Sequence, residues 1–427
     1  MRNPRHTTGE TSPRMAVTLL TGGSDKSYVY GLGKTLSAAA VAIDIVGSDE
    51  LDTPEIRNIR GVKFFNLRGS QDPDAGFGRK ILRILQYYVR LIAYAAGSEP
   101  KIFHILWNNK FEVFDRTLLM LWYRLLRKKI VLTAHNVNAG RRDASDTLLN
   151  RASLRIQYRL ADRIFVHTEK MKRELMQHFG VHQGKVIVIP FGINDSIPKT
   201  QLSPSQAKEL LGIDRNNKMV LFFGRITPYK GLQYLIDAFK EPALRSEKYR
   251  LIVAGRVERG CETYWEAIRK QVREEAQNGR FVIRDEFIPD SETEIYFKAA
   301  DALVLPYREI FQSGVMFLAY SFGLPVLAAD VGSLKEDIIE GRTGFVFKPE
   351  DPADLARTIE RYFASDLFTE LHMRRQEIRD NAIKSHSWDL VGEKTLHAYA
   401  DLLGISHLHA SSSREVSSAA VGVKSPS

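Results

Sequence analysis

The sequence predicts an α/β protein made of two domains, each a run of strand–helix alternation. Three observations predict it. Short apolar runs of strand length alternate with longer amphipathic stretches twice over, on either side of a break near residue 200. Several runs stop on a glycine, as in Phe223-Gly224 and Ala254-Gly255, where the backbone turns without a Cβ. And 427 residues exceed what one hydrophobic core usually serves.

The elements follow in order. Residues 1–13 are polar, contain Pro4 and Pro13, and are expected to be disordered. The first domain is expected over 14–195. Its strands are Arg14–Leu20, Ile43–Val46, Val62–Leu67, Ile102–Trp107, Lys129–Thr133, Arg163–His167 and Lys185–Pro190. Helices are expected at Tyr28–Ala40, Gly78–Ala96, Thr117–Arg127 and, capped by Thr168, Glu169–Phe179. The linker is Asn194–Ser203, with Pro198 inside it. The second domain is expected over 204–385. Its strands are Met219–Phe223, Tyr249–Ala254, Arg280–Arg284, Ala302–Leu305, Pro325–Ala328 and Gly344–Phe347, with helices between most of them. The tail, 405–427, is poor in large apolar residues and is expected to be disordered.

The chemistry concentrates in the loops after these strands. Val220 to Gly231 reads as a buried strand, the turn glycine Gly224, the cations Arg225 and Lys230 around Thr-Pro-Tyr, and a helix opening at Gly231. Two cations between a strand's carboxyl end and a helix start suit a diphosphate. Two solvated charges on an ordinary loop would look the same. Gly22-Gly23 and Ala254-Gly255-Arg256 are glycine turns at the same kind of edge, with plain tight turns as the alternative. Gln312-Ser313-Gly314-Val315 resembles a helix N-terminus open to an anion, with Ser313 able to cap and Gly314 permitting close approach. Glu309 precedes it, placed either to accept sugar or ribose hydroxyls or to pair with Arg308 or Arg225. His135 stands on the loop after Thr133, where a satisfied structural imidazole is the alternative to a functional one.

Composition narrows the class. The single cysteine, Cys261, excludes an internal disulfide framework and a multi-cysteine zinc site, and fits a reducing compartment. No apolar run approaches the ~18–20 residues that span a bilayer. Residues 1–195 hold 30 Lys and Arg against 18 Asp and Glu, and the remainder 31 against 33, so the basic excess belongs to the first half alone. An anionic partner is expected there. The stretches Arg79–Ile92 and Arg116–Lys129 mix leucine, aromatics and cations, which suits either core-packed helices with a basic edge or helices lying in a membrane interface. No nucleic-acid motif accompanies the charge, and no nucleic-acid partner is expected.

Taken in order, Gly-Arg-x-x-x-x-Lys-Gly (224–231), Ala-Gly (254–255), Leu-Pro-Tyr (305–307), Ser-Gly (313–314), Gly-Leu-Pro-Val (323–326), Asp-Val-Gly-Ser (330–333) and Gly-Arg-Thr-Gly-Phe (341–345) resemble the group 1 glycosyltransferases. The resemblance runs from about Arg14 to Leu403 and is strongest over Met219–Pro349. It implies the GT-B architecture, two Rossmann-like domains facing across a cleft, with segment 386–403 returning as a helix to the first domain. It implies a retaining hexosyltransferase (EC 2.4) that takes a nucleotide-sugar donor, with no cofactor and no metal. Arg225 and Lys230 would neutralise the diphosphate, Gly22 and Gly23 would let the backbone approach it, and Gly224, Gly255, Gln312, Ser313, Gly314 and Val315 would complete the donor site. His135 would face the sugar, and Glu309 would serve in catalysis. The chain departs from the family at one point: the family's two glutamates eight residues apart fall on Ile310 and Leu318, so Glu309 stands one residue early and the second glutamate has no counterpart. The implied acceptor is a lipid-linked or oligosaccharide chain, in exopolysaccharide or cell-envelope polysaccharide synthesis, reached by an enzyme that is cytoplasmic and peripheral to the cytoplasmic membrane. Two rival readings are a GT-B nucleotide-sugar epimerase and a non-catalytic nucleotide-binding protein docked to membrane by its basic half.

Overall fold

Among the residues described by the computed structural model (15–22, 25–72, 76–142, 146–193, 197–275 and 279–405), thirteen strands form two sheets. The expected tails, Gly23 and the start of the linker lie outside the described residues. The first sheet contains β1 (Ala16–Leu20), β2 (Ala42–Gly47), β3 (Val62–Asn66), β4 (Ile102–Ile105), β5 (Lys129–Thr133), β6 (Arg163–Val166) and β7 (Val186–Val188). They lie in the order β3-β2-β1-β4-β5-β6-β7, all parallel. The second contains β8 (Lys218–Phe223), β9 (Tyr249–Ala254), β10 (Phe281–Arg284), β11 (Ala302–Leu305), β12 (Val326–Ala329) and β13 (Gly344–Phe347). Their order is β10-β9-β8-β11-β12-β13, again all parallel.

The strands are continuous apolar runs because helices cover both faces of each sheet. Val17, Leu19, Ile43, Phe103 and Ile130 are fully buried in the first sheet, and Leu221, Leu251, Val253, Leu303 and Leu327 in the second. In each sheet the strand order reverses once, between β1 and β4 and between β8 and β11. A crevice opens at the carboxyl edge at such a reversal, because the two connections leave in opposite directions. The two sheets place their crevices on a shared cleft: residues after β4 and β5 line one cavity together with residues after β11.

Element ends differ from expectation for local reasons. Pro190 carries no N–H, and the last strand of the first sheet stops at Val188. Helix Lys26–Ala38 starts two residues early because the Asp25 carboxylate accepts the Tyr28 N–H at 3.0 Å. The expected helix Thr117–Arg127 instead begins at Glu112 and passes through a π turn, Asp115–Leu119, into Met120–Leu125. The buried Asp115 carboxylate holds that turn, accepting the Asn109 N–H at 2.5 Å and the Tyr88 hydroxyl at 3.0 Å. A further helix, Leu148–Leu160, was not anticipated. Thr147 caps it by accepting the Asn150 N–H at 3.1 Å.

Two crossings of the chain join the halves. The Ile193 N–H donates to the His386 carbonyl at 2.9 Å, and the Trp388 indole N–H to the Ile193 carbonyl at 3.0 Å. Helix Trp388–Leu403 then packs on helix Lys26–Ala38, with Val391, Ala398 and Tyr399 in the core of the first sheet. Across the cleft Thr168 Oγ1 meets Ser333 Oγ at 2.9 Å, and Lys170 Nζ donates to the Gly332 carbonyl at 2.9 Å.

The two basic stretches of the first half divide by face. Tyr87, Tyr88 and Leu91 of helix Phe77–Gly97 and Met120 and Tyr123 of the second stretch enter the core. Leu82, Leu85, Val89, Leu118, Leu121 and Leu125 stay exposed, with Arg79, Arg90, Arg124 and Arg127 beside them. Leu148, Leu149 and Ile156 of helix Leu148–Leu160 add to the exposed apolar surface. Arg116, expected among these surface cations, is instead buried: its guanidinium donates to Asn150 Oδ1 at 2.8 Å and pairs with Glu112. Among the described residues no helix is long and apolar enough to cross a membrane.

Candidate functional site

The loop after β8 sits at the second sheet's crevice. Gly224 (φ +103°) and Gly255 (φ +140°) end β8 and β9 side by side, and a Cβ on Gly255 would lie 2.2 Å from the Gly224 carbonyl oxygen. Only glycine fits there. The chain then turns through Pro228–Lys230 into helix Leu232–Ala238. Lys230 is buried, its ammonium 5.7 Å from the centre of the Tyr307 ring and 2.8 Å from where a Gly224 Cβ would stand. Arg225 points into solvent and donates to Glu258 at 2.8 Å.

Helix Gly314–Ser321 begins beside these groups: the same Gly224 Cβ position lies 3.7 Å from a Val315 methyl. Ser313 is at the N-cap position, but its hydroxyl does not cap. It lies 3.4 Å from the Tyr307 hydroxyl instead. The expected Ser313 cap is therefore corrected: Tyr307 draws the hydroxyl away, and no side chain caps the first turn. Gln312 donates to Asp337 at 2.7 Å, which leaves its carbonyl oxygen buried without a partner. Glu309 is exposed, and neither ion pair expected for it forms: Arg308 pairs with Glu350 and Arg225 with Glu258.

On the facing side, His135 stacks on Trp107 with ring centres 4.2 Å apart and planes 8° from parallel. Its Nδ1 is 2.9 Å from His167 Nε2, and His167 Nδ1 is 3.4 Å from the Ile189 carbonyl. A carbonyl only accepts, so His167 carries its proton on Nδ1 and accepts at Nε2. His135 must then donate from Nδ1, which leaves its Nε2 a bare acceptor. That atom is buried and unpaired. Burial, and then the neighbouring imidazole of His167, holds His135 well below the ordinary imidazole pKa. Burial likewise lowers His167 to about 4, and His104, between Tyr399 and Thr133, to about 3.

The buried imidazoles have a consequence for stability. They stay neutral in the folded protein, whereas in the unfolded chain they take up protons below the ordinary value of 6.5. Stability is fully present above that value and is lost as pH falls toward the folded-state values. At about pH 5, His104 and His167 are expected to cost about 2 kcal/mol each. Urea midpoints measured from about pH 7 to about pH 5 should fall accordingly; a flat profile would contradict the burial of neutral imidazoles.

Among the described residues, two cavities lie in the cleft. The larger, about 350 Å³, is lined by Trp107, Asn108, Glu112, Arg116, His135 and Gln157 of the first half and by Ile310 and Gln312 of the second. The smaller, about 250 Å³, lies between Asp25, Tyr28 and Trp388 on one side and Gly314, Val315 and Leu318 on the other. Phe191 lines both. The structure thus gathers Gly224, Gly255, Lys230, Ser313, Gly314 and Val315 at one end and brings His135 and Gln312 to the larger cavity. Gly22 (φ +60°) packs on the Trp107 carbonyl, behind that cavity's wall. Glu309 lines neither cavity, whereas Ile310 and Leu318, at the family's glutamate positions, line one each. Sequence reasoning missed Trp107, His167, Arg116 and Gln157. Trp107-Asn108 was legible as the loop after β4 at the crevice, whereas the other three reach the site through contacts distant in sequence.

Comparisons with known proteins agree with this architecture. The family model for glycosyl transferases group 1 matches residues 217–365, and that for glycosyltransferase family 4 matches residues 26–197. Between them they cover more than half of the chain. A protein from Corynebacterium diphtheriae named D-inositol 3-phosphate glycosyltransferase is 28% identical over 413 residues, 91% of this chain and 92% of that protein. One of the same name from Streptomyces avermitilis is 32% identical over 249 residues, 56% of this chain and 52% of that protein, so that match reaches only about half of the relative's length. Among solved structures, sucrose-phosphate synthase from Thermosynechococcus elongatus superposes with a TM-score of 0.74 at 19% identity, over 92% of this chain and all of that one. Anabaena Alr3699/HepE in complex with UDP gives 0.70 at 17% identity, over 91% of this chain and all of that one. These likenesses show that the fold is GT-B.

Proposed function

The chain belongs to the group 1 glycosyltransferases, and from that premise we propose that it moves a sugar, with retention at the anomeric carbon, from a nucleoside diphosphate to a glycan or glycolipid at a membrane surface. The observation that carries the reading is the cluster of Lys230, Gly224 and the uncapped start of helix Gly314–Ser321 at one crevice. A diphosphate fits it chemically. Lys230 is held in place by burial, so its charge needs no reorganisation when the sugar–phosphate bond breaks. Free N–H groups at Gly314 and Val315 and the positive end of the helix dipole oppose the phosphate charge. Arg225 rests in an exposed ion pair with Glu258, an interaction worth little, so its guanidinium can turn to an incoming phosphate. In the transfer the bond from the anomeric carbon to the β-phosphate oxygen breaks and an acceptor oxygen bonds that carbon on the same face. The acceptor's proton passes to the departing phosphate. Arg225 and Lys230 supply the charge compensation that a metal ion provides in other transferases, so the proposed reaction uses no metal.

Similar proteins support the donor class: HepE was solved with UDP and with UDP-glucose, and the Corynebacterium relative is named for a glycosyl transfer. The proposed setting is exopolysaccharide or cell-envelope polysaccharide assembly at the cytoplasmic face of the membrane, and the basic first half supports its membrane part. Exposed Leu82, Leu85, Val89, Leu118 and Leu125 beside Arg79, Arg90, Arg124 and Arg127 have the composition of an interfacial surface.

A thermal-shift screen of UDP-, GDP- and ADP-sugars, followed by transfer assays with the best ligand, tests the donor reading; no shift with any of them contradicts it. Cosedimentation tests the membrane reading. The chain is expected to pellet with vesicles containing phosphatidylglycerol and not with phosphatidylcholine alone, and Leu82→Ser with Leu85→Ser should weaken pelleting by about 100-fold or more, from the loss of two buried apolar side chains. Equal binding to both vesicle types would count against it.

A further inference from the structure

The imidazole of His386 stands where the two crossings of the chain meet the second half. Its Nδ1 is 3.1 Å from the Phe191 carbonyl on the outward crossing. A carbonyl only accepts, so Nδ1 carries a proton. Its Nε2 lies 3.3 Å from Asp337 Oδ1, an ion pair when the ring takes a second proton. The other oxygen of Asp337 accepts the Gln312 amide at 2.7 Å. That bond fixes the Gln312 side chain, because the Gln312 carbonyl oxygen is buried without a partner. Gln312 stands two residues before helix Gly314–Ser321. A second contact runs beside this one. The Phe317 ring of that helix stacks on Phe191 at 5.3 Å and meets the His386 ring at 4.4 Å.

Asp337 also ends a strap. Residues Gly332–Asp337, with the 3-10 turn Leu334–Asp337, lie against the loop Ile310–Gln312. The Ser333 N–H donates to the Phe311 carbonyl at 3.0 Å, and a Cβ on Gly332 would lie 1.6 Å from the Ile310 carbonyl oxygen. At its other end the strap is held from across the cleft by Thr168 and Lys170. The loop that leads to the uncapped helix start is therefore clamped by one segment, and that segment touches the first half at one end and the crossing at the other. The side chains of His386 and Asp337 are mostly buried, so water competes little for their contacts.

We propose that His386 is a positioning residue of the donor site: through Asp337 it fixes Gln312, and so holds the start of helix Gly314–Ser321 in place relative to the crossing at Phe191. The inference rests on the diphosphate reading for the word donor, whereas the link from His386 to the helix start stands on its own contacts. His386 and Asp337 line neither cavity, so their effect passes through Gln312. What they set is where the Gly314 and Val315 amides stand, and hence how tightly a diphosphate binds there.

Hydrogen exchange on the full chain tests the link without a ligand. His386→Phe keeps a ring against Phe317 and removes both polar contacts. Amide exchange over residues 310–318 should rise about tenfold, while helix Leu232–Ala238 exchanges as in the parent. Titration with UDP, GDP and ADP reads the consequence: the nucleotide that binds the parent best should bind the variant about tenfold more weakly. Leu367→Ala, which opens the core of the second half elsewhere, should lower the melting temperature and leave that affinity unchanged. His386→Phe combined with Gln312→Met should weaken binding no more than the stronger single variant, since both act through Asp337. Should His386→Phe fold poorly, Asp337→Leu breaks the same link and carries the same expectations. Asp337→Asn can still accept from Gln312 and donate to His386 Nε2, and it should keep the parent's exchange and affinity. Three results overturn the proposal: unchanged exchange over 310–318 in both His386→Phe and Asp337→Leu, effects on affinity that multiply in the double variant, or an equal loss of affinity in Leu367→Ala. Faster exchange in these variants of a chain that binds none of the three nucleotides supports the link and overturns the donor reading instead.

Discussion

Replacing Lys230 with methionine is expected to lower kcat/KM for the donor by about 100- to 1,000-fold, the usual effect of removing one preorganised charge from a developing anion. The argument rests on burial. Lys230 is 7% exposed, with its stem covered and its ammonium between Gly224 and the Tyr307 ring. Methionine keeps the length and the apolar stem, so the loss reports the charge and not the packing. Steady-state kinetics with the best nucleotide sugar from the thermal-shift screen, alongside a melting curve, reads it. Arg225→Met is expected to cost less, because that guanidinium is exposed and must leave Glu258 to act. Equal activity of the Lys230 variant and the parent would remove the electrostatic mechanism.

Gly231→Ala should be as damaging by a different route. Gly231 has φ +68°, and a Cβ there would lie 1.9 Å from the Pro306 carbonyl oxygen. The left-handed backbone alone costs about 1–2 kcal/mol for an L side chain. The overlap adds to this, since backbone cannot swing aside as a side-chain tip can. Either Lys230 or the Pro306-Tyr307 segment must move, and these hold the two sides of the donor crevice. The expected outcome is a melting temperature several degrees lower together with a larger loss of donor affinity. A variant with native stability and native nucleotide binding would show that the two loops do not set each other's position.

The crevice after β8 was legible because its determinants are local. A buried apolar run, a glycine turn and two cations five residues apart all fall within Val220–Gly231. The parallel sheets were legible for a similar reason, since strands covered on both faces read as unbroken apolar runs. What escaped depends on partners far away in the chain. His135 acquires its acceptor character from His167, 32 residues on, and that residue's proton is fixed by Ile189. Arg116 reads as one cation in a membrane-like stretch until the π turn at Asp115–Leu119 swings it inward to Asn150. Ser313 has the residue type of a cap, yet Tyr307 claims its hydroxyl. Glu309 was singled out by its neighbourhood in sequence, and one residue of register places Ile310, not Glu309, at the cavity.

The most direct measurement is a crystal structure of the chain with the nucleoside diphosphate that binds best. The account predicts both phosphates within hydrogen-bonding distance of the Lys230 ammonium and of the Gly314 and Val315 amides, with Arg225 turned from Glu258 toward them. Phosphates seated elsewhere, with Lys230 still enclosed against Tyr307 and the helix start unoccupied, would contradict it.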